Sequence, residues 1–252
     1  NYSNNTENYI TLGGGLLNYN GSKTWLMDGA PYLLSYDLLI QANNSTELAL
    51  LKIEEGVVVM LNSGIEIVIN NPDNNDSKGA LQANGVTFTR GIDNIDGTWP
   101  GITFKNYTLD DSSFINNCII EYAENGVLLN DASPTISNNT FRYNEDAIEN
   151  NGSSKPLISG NNFTSNIFPI KAHAEHMDGN IFSNIYTDNE NNYISVLGAE
   201  LTYNGIITWK KDGAPYGVNG NLKIQSNDIQ GQLAILKIED NGQILFNEGS
   251  SL

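Results

Sequence analysis

The sequence predicts an all-β chain wound as a parallel β-helix, and three observations carry that expectation. The first is a long internal repeat: Tyr9-Ile10 through Ile40-Gln41 aligns with Tyr193-Ile194 through Ile224-Gln225 at an offset of 184 residues, with 17 of 33 positions identical. The second is local pattern. Apolar runs of three to six residues alternate with Asn, Gly, Asp and Ser, and no amphipathic helical period lasts beyond a turn or two. The third is a finer period near 22 residues inside the long unit, the size of one coil that buries its apolar face only by stacking on the next.

Each segment contributes in turn. The opening of the unit carries Trp25 and Asp28-Gly29-Ala30-Pro31-Tyr32, which return as Trp209 and Asp212-Gly213-Ala214-Pro215-Tyr216. After one inserted residue the match resumes, Leu48-Ala49-Leu50-Leu51-Lys52-Ile53-Glu54 against Leu233-Ala234-Ile235-Leu236-Lys237-Ile238-Glu239. We therefore divide the chain into a first unit, 1–192, and the start of a second, 193–252, as expected of a segment from a tandem array. In the middle, strands at Ile102, Val127, Ile148, Ile170 and Ile194 follow one another at steps of 25, 21, 22 and 24 residues. A second series, Ile119, Phe141 and Phe163, recurs every 22, each two residues after an asparagine: Asn117, Asn139 and Asn161. At that spacing about eight coils fill one unit. Asparagine, 39 residues in all, suits such a fold. It tolerates left-handed turn conformations and can pass amide hydrogen bonds from rung to rung.

Composition narrows function. A formal charge of −17 and a pI near 4.2 exclude a basic nucleic-acid footprint and disfavour anionic surfaces as partners, whereas divalent cations fit. The lone Cys118 forms no disulfide within the chain and reads as a buried small hydrophobe. No stretch is long and apolar enough to span a bilayer. The Asn-x-Ser/Thr pattern occurs ten times, at Asn1, Asn4, Asn20, Asn43, Asn44, Asn75, Asn106, Asn138, Asn151 and Asn162, which favours an exported protein carrying N-linked glycans.

The runs Leu50–Val59, Gly79–Thr89 and Gly97–Phe104, continued by Asn117–Ala123 and Pro134–Phe141, resemble the right-handed β-helix domains of the pectin-lyase-like superfamily. The Trp…Gly-x-Pro-Tyr opening is similar to that of modules in surface-layer and cell-surface proteins of methanogenic archaea and some bacteria. The resemblance covers most of residues 20–190. It implies the right hand of the helix, an extracellular or cell-surface location and a structural role in a surface layer, sheath or filament. Because this superfamily also contains polysaccharide lyases and hydrolases, fold alone does not assign chemistry.

Candidate sites are therefore weighed individually. Asp110-Asp111 supplies paired carboxylates of the kind glycoside hydrolysis uses, but the segment around them reads as an exposed loop, and catalysis is not assigned. His173, Glu175 and His176 are metal donors by type, on a stretch that reads as a solvent-exposed loop. Asp73, Asn75 and Asp76 place oxygen ligands as a calcium loop would. Trp25, Pro31, Tyr32, Trp209, Pro215 and Tyr216 read as a structural junction where a new unit begins. The expected function is a non-enzymatic extracellular scaffold that self-associates into a filament or lattice. Two alternatives stand beside it: a carbohydrate-active or glycan-binding module, and an adhesin.

Overall fold

The computed structural model describes residues 5, 7–13, 15–70, 77–197, 200–227 and 231–252. Among these are 29 short strands and two 3-10 turns, Asp110–Ser112 and Ala174–His176. The chain is a right-handed parallel β-helix whose strands visit three faces in rotation. Ile10–Leu12 opens the first face, Gly15–Asn18 the second and Gly21–Trp25 the third, and Tyr32–Leu34 returns to the first. Eight strands build the first face, ten the second and seven the third, all paired in parallel, with two further two-stranded sheets in the last coils.

Stacking like on like makes the core. On the second face Leu38, Ile67, Ile102, Val127, Ile148, Ile170, Ile194, Tyr216 and Ile244 lie in one register column. The column contains the whole Ile102-to-Ile194 series that the sequence spacing predicts, and those five side chains are fully buried. The other expected series shifts by one place. Phe141 lies over Ile120, not Ile119, so the first-face column runs Phe88, Ile120, Phe141, Phe163, Tyr186. Within it Phe141–Phe163 and Phe163–Tyr186 stack at 5.2 Å between ring centroids. Removing one ring should cost little more than its area and stacking. Phe163→Leu is expected to lower stability by about 1–1.5 kcal/mol in a urea titration.

The corners explain the asparagines. Asn117, Asn138, Gly160 and Ser183 form one column of left-handed residues, with φ of 53°, 56°, 68° and 59°. Beside each sits an inward-turned residue. Asn139 Nδ2 donates to Asn161 Oδ1 at 3.0 Å, and Asn161 Nδ2 to Asn184 Oδ1 at 3.1 Å. Each oxygen also accepts a main-chain N–H from the rung before, and each amide donates to a carbonyl, such as Ile136 O for Asn161. Asn161 thus uses both donors and both acceptor positions while buried. Cys118 holds the place at the head of this ladder, its N–H donating to Asn139 Oδ1 at 2.8 Å. A second ladder, Asn144–Asn166–Asn189, lines another corner in the same way.

The sequence repeat is not an independent stack. The strand Ile194–Leu197 pairs with Phe168–His173 before it and Tyr216–Asn219 after it, so the second face runs without a break past residue 193. It does, however, change face. Ile10–Leu12 lies on the first face, while its repeat equivalent Ile194–Leu197 lies on the second. They are the first and twenty-third described strands. The intervening 22 steps make seven circuits of three faces and one step more, rather than the eight coils expected. The early coils are longer, from Leu38 to Ile67 and from Ile67 to Ile102 on the same column.

Candidate functional site

Three places gather chemistry. The first is the turn after the strand Phe168–His173. His173 and His176 pack edge to face at 5.9 Å between centroids, and His176 Nε2 lies 3.4 Å from Glu175 Oε1. The expectation of a solvent-exposed loop is corrected here: Ala174–His176 is a 3-10 turn over the core, and His176 is only 5% exposed. Its Nδ1 has no hydrogen-bond partner. Among the described residues no group of three His, Cys, Asp or Glu side chains converges as a metal site.

Burial pushes the His176 pKa below its ordinary 6.5, against the attraction of Glu175. The folded chain therefore holds this imidazole neutral where the unfolded chain protonates it. Its contribution to stability is present above the unfolded pKa and is lost as pH falls through about 6.5. The melting temperature is expected to drop between pH ~7.5 and ~5.5, and His176→Gln should flatten that part of the profile.

The second place is a groove of about 550 Å³ on the outer side of the third face, over Phe114, Asn116, Thr135 and Ser137 and rimmed by Asp110 and Asp111. The longer connection before Phe114 overhangs the face, and the neighbouring rungs pin it. Ser133 N–H donates to Asp110 Oδ1 at 2.7 Å, Thr135 N–H to Ser113 O at 3.2 Å, and Gln82 Nε2 to Ser112 O at 3.0 Å. The exposed-loop expectation is again only partly met, since Thr108 and Ser113 are buried. Burial raises the Asp110 pKa, with Asp111 adding to it and the Ser133 N–H opposing it. Asp110 is a structural acceptor tying two rungs together.

The third place occurs twice. A cleft of about 240 Å³ lies between Gly29–Tyr32 and Gly56–Val58, and one of about 330 Å³ between Gly213–Tyr216 and Asn241–Gln243. These are repeat-equivalent positions. The frame is the same in both. Trp25 stacks on Tyr32 at 5.3 Å, and Trp209 lies 4.9 Å from Tyr216. The tyrosine hydroxyls donate to Leu26 O at 2.9 Å and Lys210 O at 2.7 Å. Pro31 O and Pro215 O accept from Ile10 and Ile194 at 2.8 and 2.9 Å.

The remaining expected positions fall as follows. Asp73, Asn75 and Asp76 lie outside the described residues, as do Asn1 and Asn4. Asn20, Asn43, Asn44, Asn106 and Asn138 are exposed, whereas Asn151 and Asn162 are half-buried. Cys118 is buried, with its thiol pKa pushed up to about 11 by desolvation. Sequence reasoning missed Asp212. Its carboxylate accepts from Asn184 N and Nδ2, both at 2.8 Å, and from Tyr186 OH at 2.7 Å, closing the first asparagine ladder. The one available signal was its place in a motif preserved across the repeat.

No helix among the described residues is long and apolar enough to cross a membrane. A family model described as periplasmic copper-binding protein (NosD) matches residues 33–227, more than half of the chain. No curated protein matches, and no solved structure does.

Proposed function

This chain belongs to the NosD family, and from that premise we propose that it is an extracytoplasmic scaffold: a stiff β-helical rod in which tandem units share one continuous stack. The observation carrying the proposal is the pairing of Ile170, Ile194, Tyr216 and Ile244 across the repeat boundary. A sheet that ignores the boundary transmits load from unit to unit without a hinge. On this reading the division at 192/193 is a sequence repeat within one rod. The family's periplasmic description supports a place outside the cytoplasm, and a surface layer, sheath or filament is the finer role we propose. Glycans on the exposed Asn20, Asn43, Asn44, Asn106 and Asn138 and calcium held at Asp73, Asn75 and Asp76 would complete a hydrated acidic coat.

Copper, named in the family's description, is not carried over. The soft donors are one cysteine, two histidines and three methionines. Cys118 is buried, its Sγ engaged with Asn116 O and the Val86 N–H. Met27 lies at the Gly29 cleft, and Met177 is buried beyond the histidine turn. Among the described residues no group of three His, Cys, Asp or Glu side chains converges on one point. A Cu(I) competition titration against bicinchoninate is expected to show no tight stoichiometric site. A tight one-to-one site abolished by His173→Ala with His176→Ala would overturn that reading.

The scaffold is tested by electron microscopy of native material carrying the chain. With rungs about 4.8 Å apart and a little over seven circuits to a unit, one unit advances about 35 Å. Filaments or sheets with that axial repeat support the proposal. Dispersed single particles would sink it.

A further inference from the structure

The turns that carry the chain from the first face to the second lie one under another along a single edge of the rod, and four consecutive rungs of that edge share an unusual surface. The turn after Thr87–Arg90 holds Ile92 and Ile95, 48% and 70% exposed, and the next three hold Tyr122, Tyr143 and Ile167. The first of these turns is tied down. Arg90 Nη1 donates to Gly97 O at 3.3 Å, and the Ser63 N–H donates to Asp93 Oδ1 at 3.0 Å. Tyr122 and Tyr143 have φ of 60° and 59°, a conformation that suits asparagine or glycine and strains a bulky residue. Yet tyrosine stands there twice, the rings stacked at 5.3 Å and Tyr143 49% exposed. The two arginines of the chain both come to this stack. Arg90 lies 4.0 Å from the Tyr122 ring centroid, and Arg142 lies 6.0 Å from that of Tyr143. On a chain of charge −17 that convergence sets the edge apart from the rest of the surface.

We infer that this edge is an interface whose occupant is the same edge of a second copy of the chain, running in the opposite direction. The two ends of the patch are complementary. At one end Ile92 and Ile95 stand with the exposed acids Asp93 and Asp96. At the other, two rungs and about 10 Å further on, Tyr143 stands with Arg142. A two-fold axis at Tyr122 lays the isoleucines of one copy on Tyr143 of the other and sets Asp93 and Asp96 against Arg142. The symmetry makes each contact twice, as an isologous interface requires. Arg142 gives Nε to its own Glu121 at 2.6 Å, and a guanidinium carries further donors. Elsewhere like charge holds two such acidic chains apart, and tyrosine and arginine are among the residues that anchor protein interfaces. A glycan fits less well. Sugars stack on open ring faces, whereas Tyr122 has Arg90 on the side of the rung before and Tyr143 on the side of the rung after. The inference rests on the scaffold reading and deepens it, naming the contact between neighbouring rods.

The test is sedimentation equilibrium of the chain and its variants over a wide concentration range, with circular dichroism of each to confirm that β structure is retained. The parent is expected to dimerise reversibly, and Ile95→Asn with Tyr143→Asn to weaken the dimer at least tenfold. Asparagine suits the left-handed backbone at 143, so this variant keeps its fold. Ile185→Asn is the control. Ile185 is 58% exposed but opens a first-face strand, at the end away from the edge, and its change should leave the dimer within twofold of the parent. Asp96→Lys should also weaken the dimer, although it lowers the net negative charge and so favours unspecific association. A parent that stays monomeric, or a dimer indifferent to the Ile95 and Tyr143 changes, overturns the edge contact. Retardation of a monomeric parent in a gel containing polygalacturonate, lost in Tyr143→Asn, would assign the edge to a glycan instead. The rod itself is judged separately, by the axial repeat in native material.

Discussion

Gly101→Ala is expected to prevent the chain from reaching its native stack, with soluble yield falling sharply and any folded fraction destabilised by more than about 4 kcal/mol. Gly101 has φ of +127°, a conformation closed to side-chain-bearing residues. A Cβ there would stand 1.6 Å from Asn125 O, a main-chain atom of the next rung. No rotamer change relieves such a clash; the rungs themselves would have to separate. The site is also where the register slips, Gly101 facing Asn125 while Ile102 faces Val127, so the extra residue of the bulge is Gly126 on the next rung. Gly64→Ala is the control. Its φ is +72° with nothing within 4 Å of a Cβ, and only the left-handed strain of about 1 kcal/mol is expected. Comparable melting curves for the two variants would refute the steric argument.

Asn161→Ala should be the next most damaging single change, at about 4 kcal/mol by chemical denaturation. It strands Asn139 N–H and one of the two Asn139 Nδ2 hydrogens and removes one partner each from Ile136 O and Asn184 Oδ1, all in a corner that water does not reach. Each orphaned buried group costs roughly 1–3 kcal/mol, and the losses overlap because they share one cavity. Asn162→Ala is the control one position on. Its side chain is half-buried and its buried Oδ1 has no hydrogen-bond partner to lose, so a change within about 0.5 kcal/mol is expected. Since coils contact only their neighbours, Asn161→Ala should loosen the coils around it first, giving a broadened transition rather than a shifted sharp one. A sharp transition within 1 kcal/mol of the parent would show that the ladder contributes little.

How much of this was legible in the sequence varied with the redundancy of the signal. The Ile102–Val127–Ile148–Ile170–Ile194 column was readable because each strand offers one bulky inward position per coil. The Ile119 series failed by one residue because Ile119-Ile120 is an apolar doublet, in which alternation has no phase. The left-handed Asn117 decides which of the two turns inward. The amide ladder was foreseeable from recurring asparagines, but not its two ends. Cys118 and Asp212 are chemically unlike asparagine, and only their place over and under the ladder gives them their roles. The histidine turn and the Asp110 connection are only partly exposed, His176 and Ser113 being buried, for the same reason. Polar residues beside a coil read as loop until the neighbouring rung is seen to cover them.

What the sequence by itself determined is therefore one-dimensional: an all-β coil, a unit of 184 residues, the residues that face inward and the motif that opens each unit. Tertiary structure alone decided how the second copy joins the stack. Ile10–Leu12 lies on the first face and its equivalent Ile194–Leu197 on the second, yet Gly205–Trp209 lies against Asp178 and Gly179 at the start of the third-face strand Ile181–Phe182, and Asp212 sits on Asn184 in the corner after it, on the side of the rod that Trp25 also occupies. Sequence similarity carries across that irregular step because side chains record what lies above and below them, not which sheet runs through them.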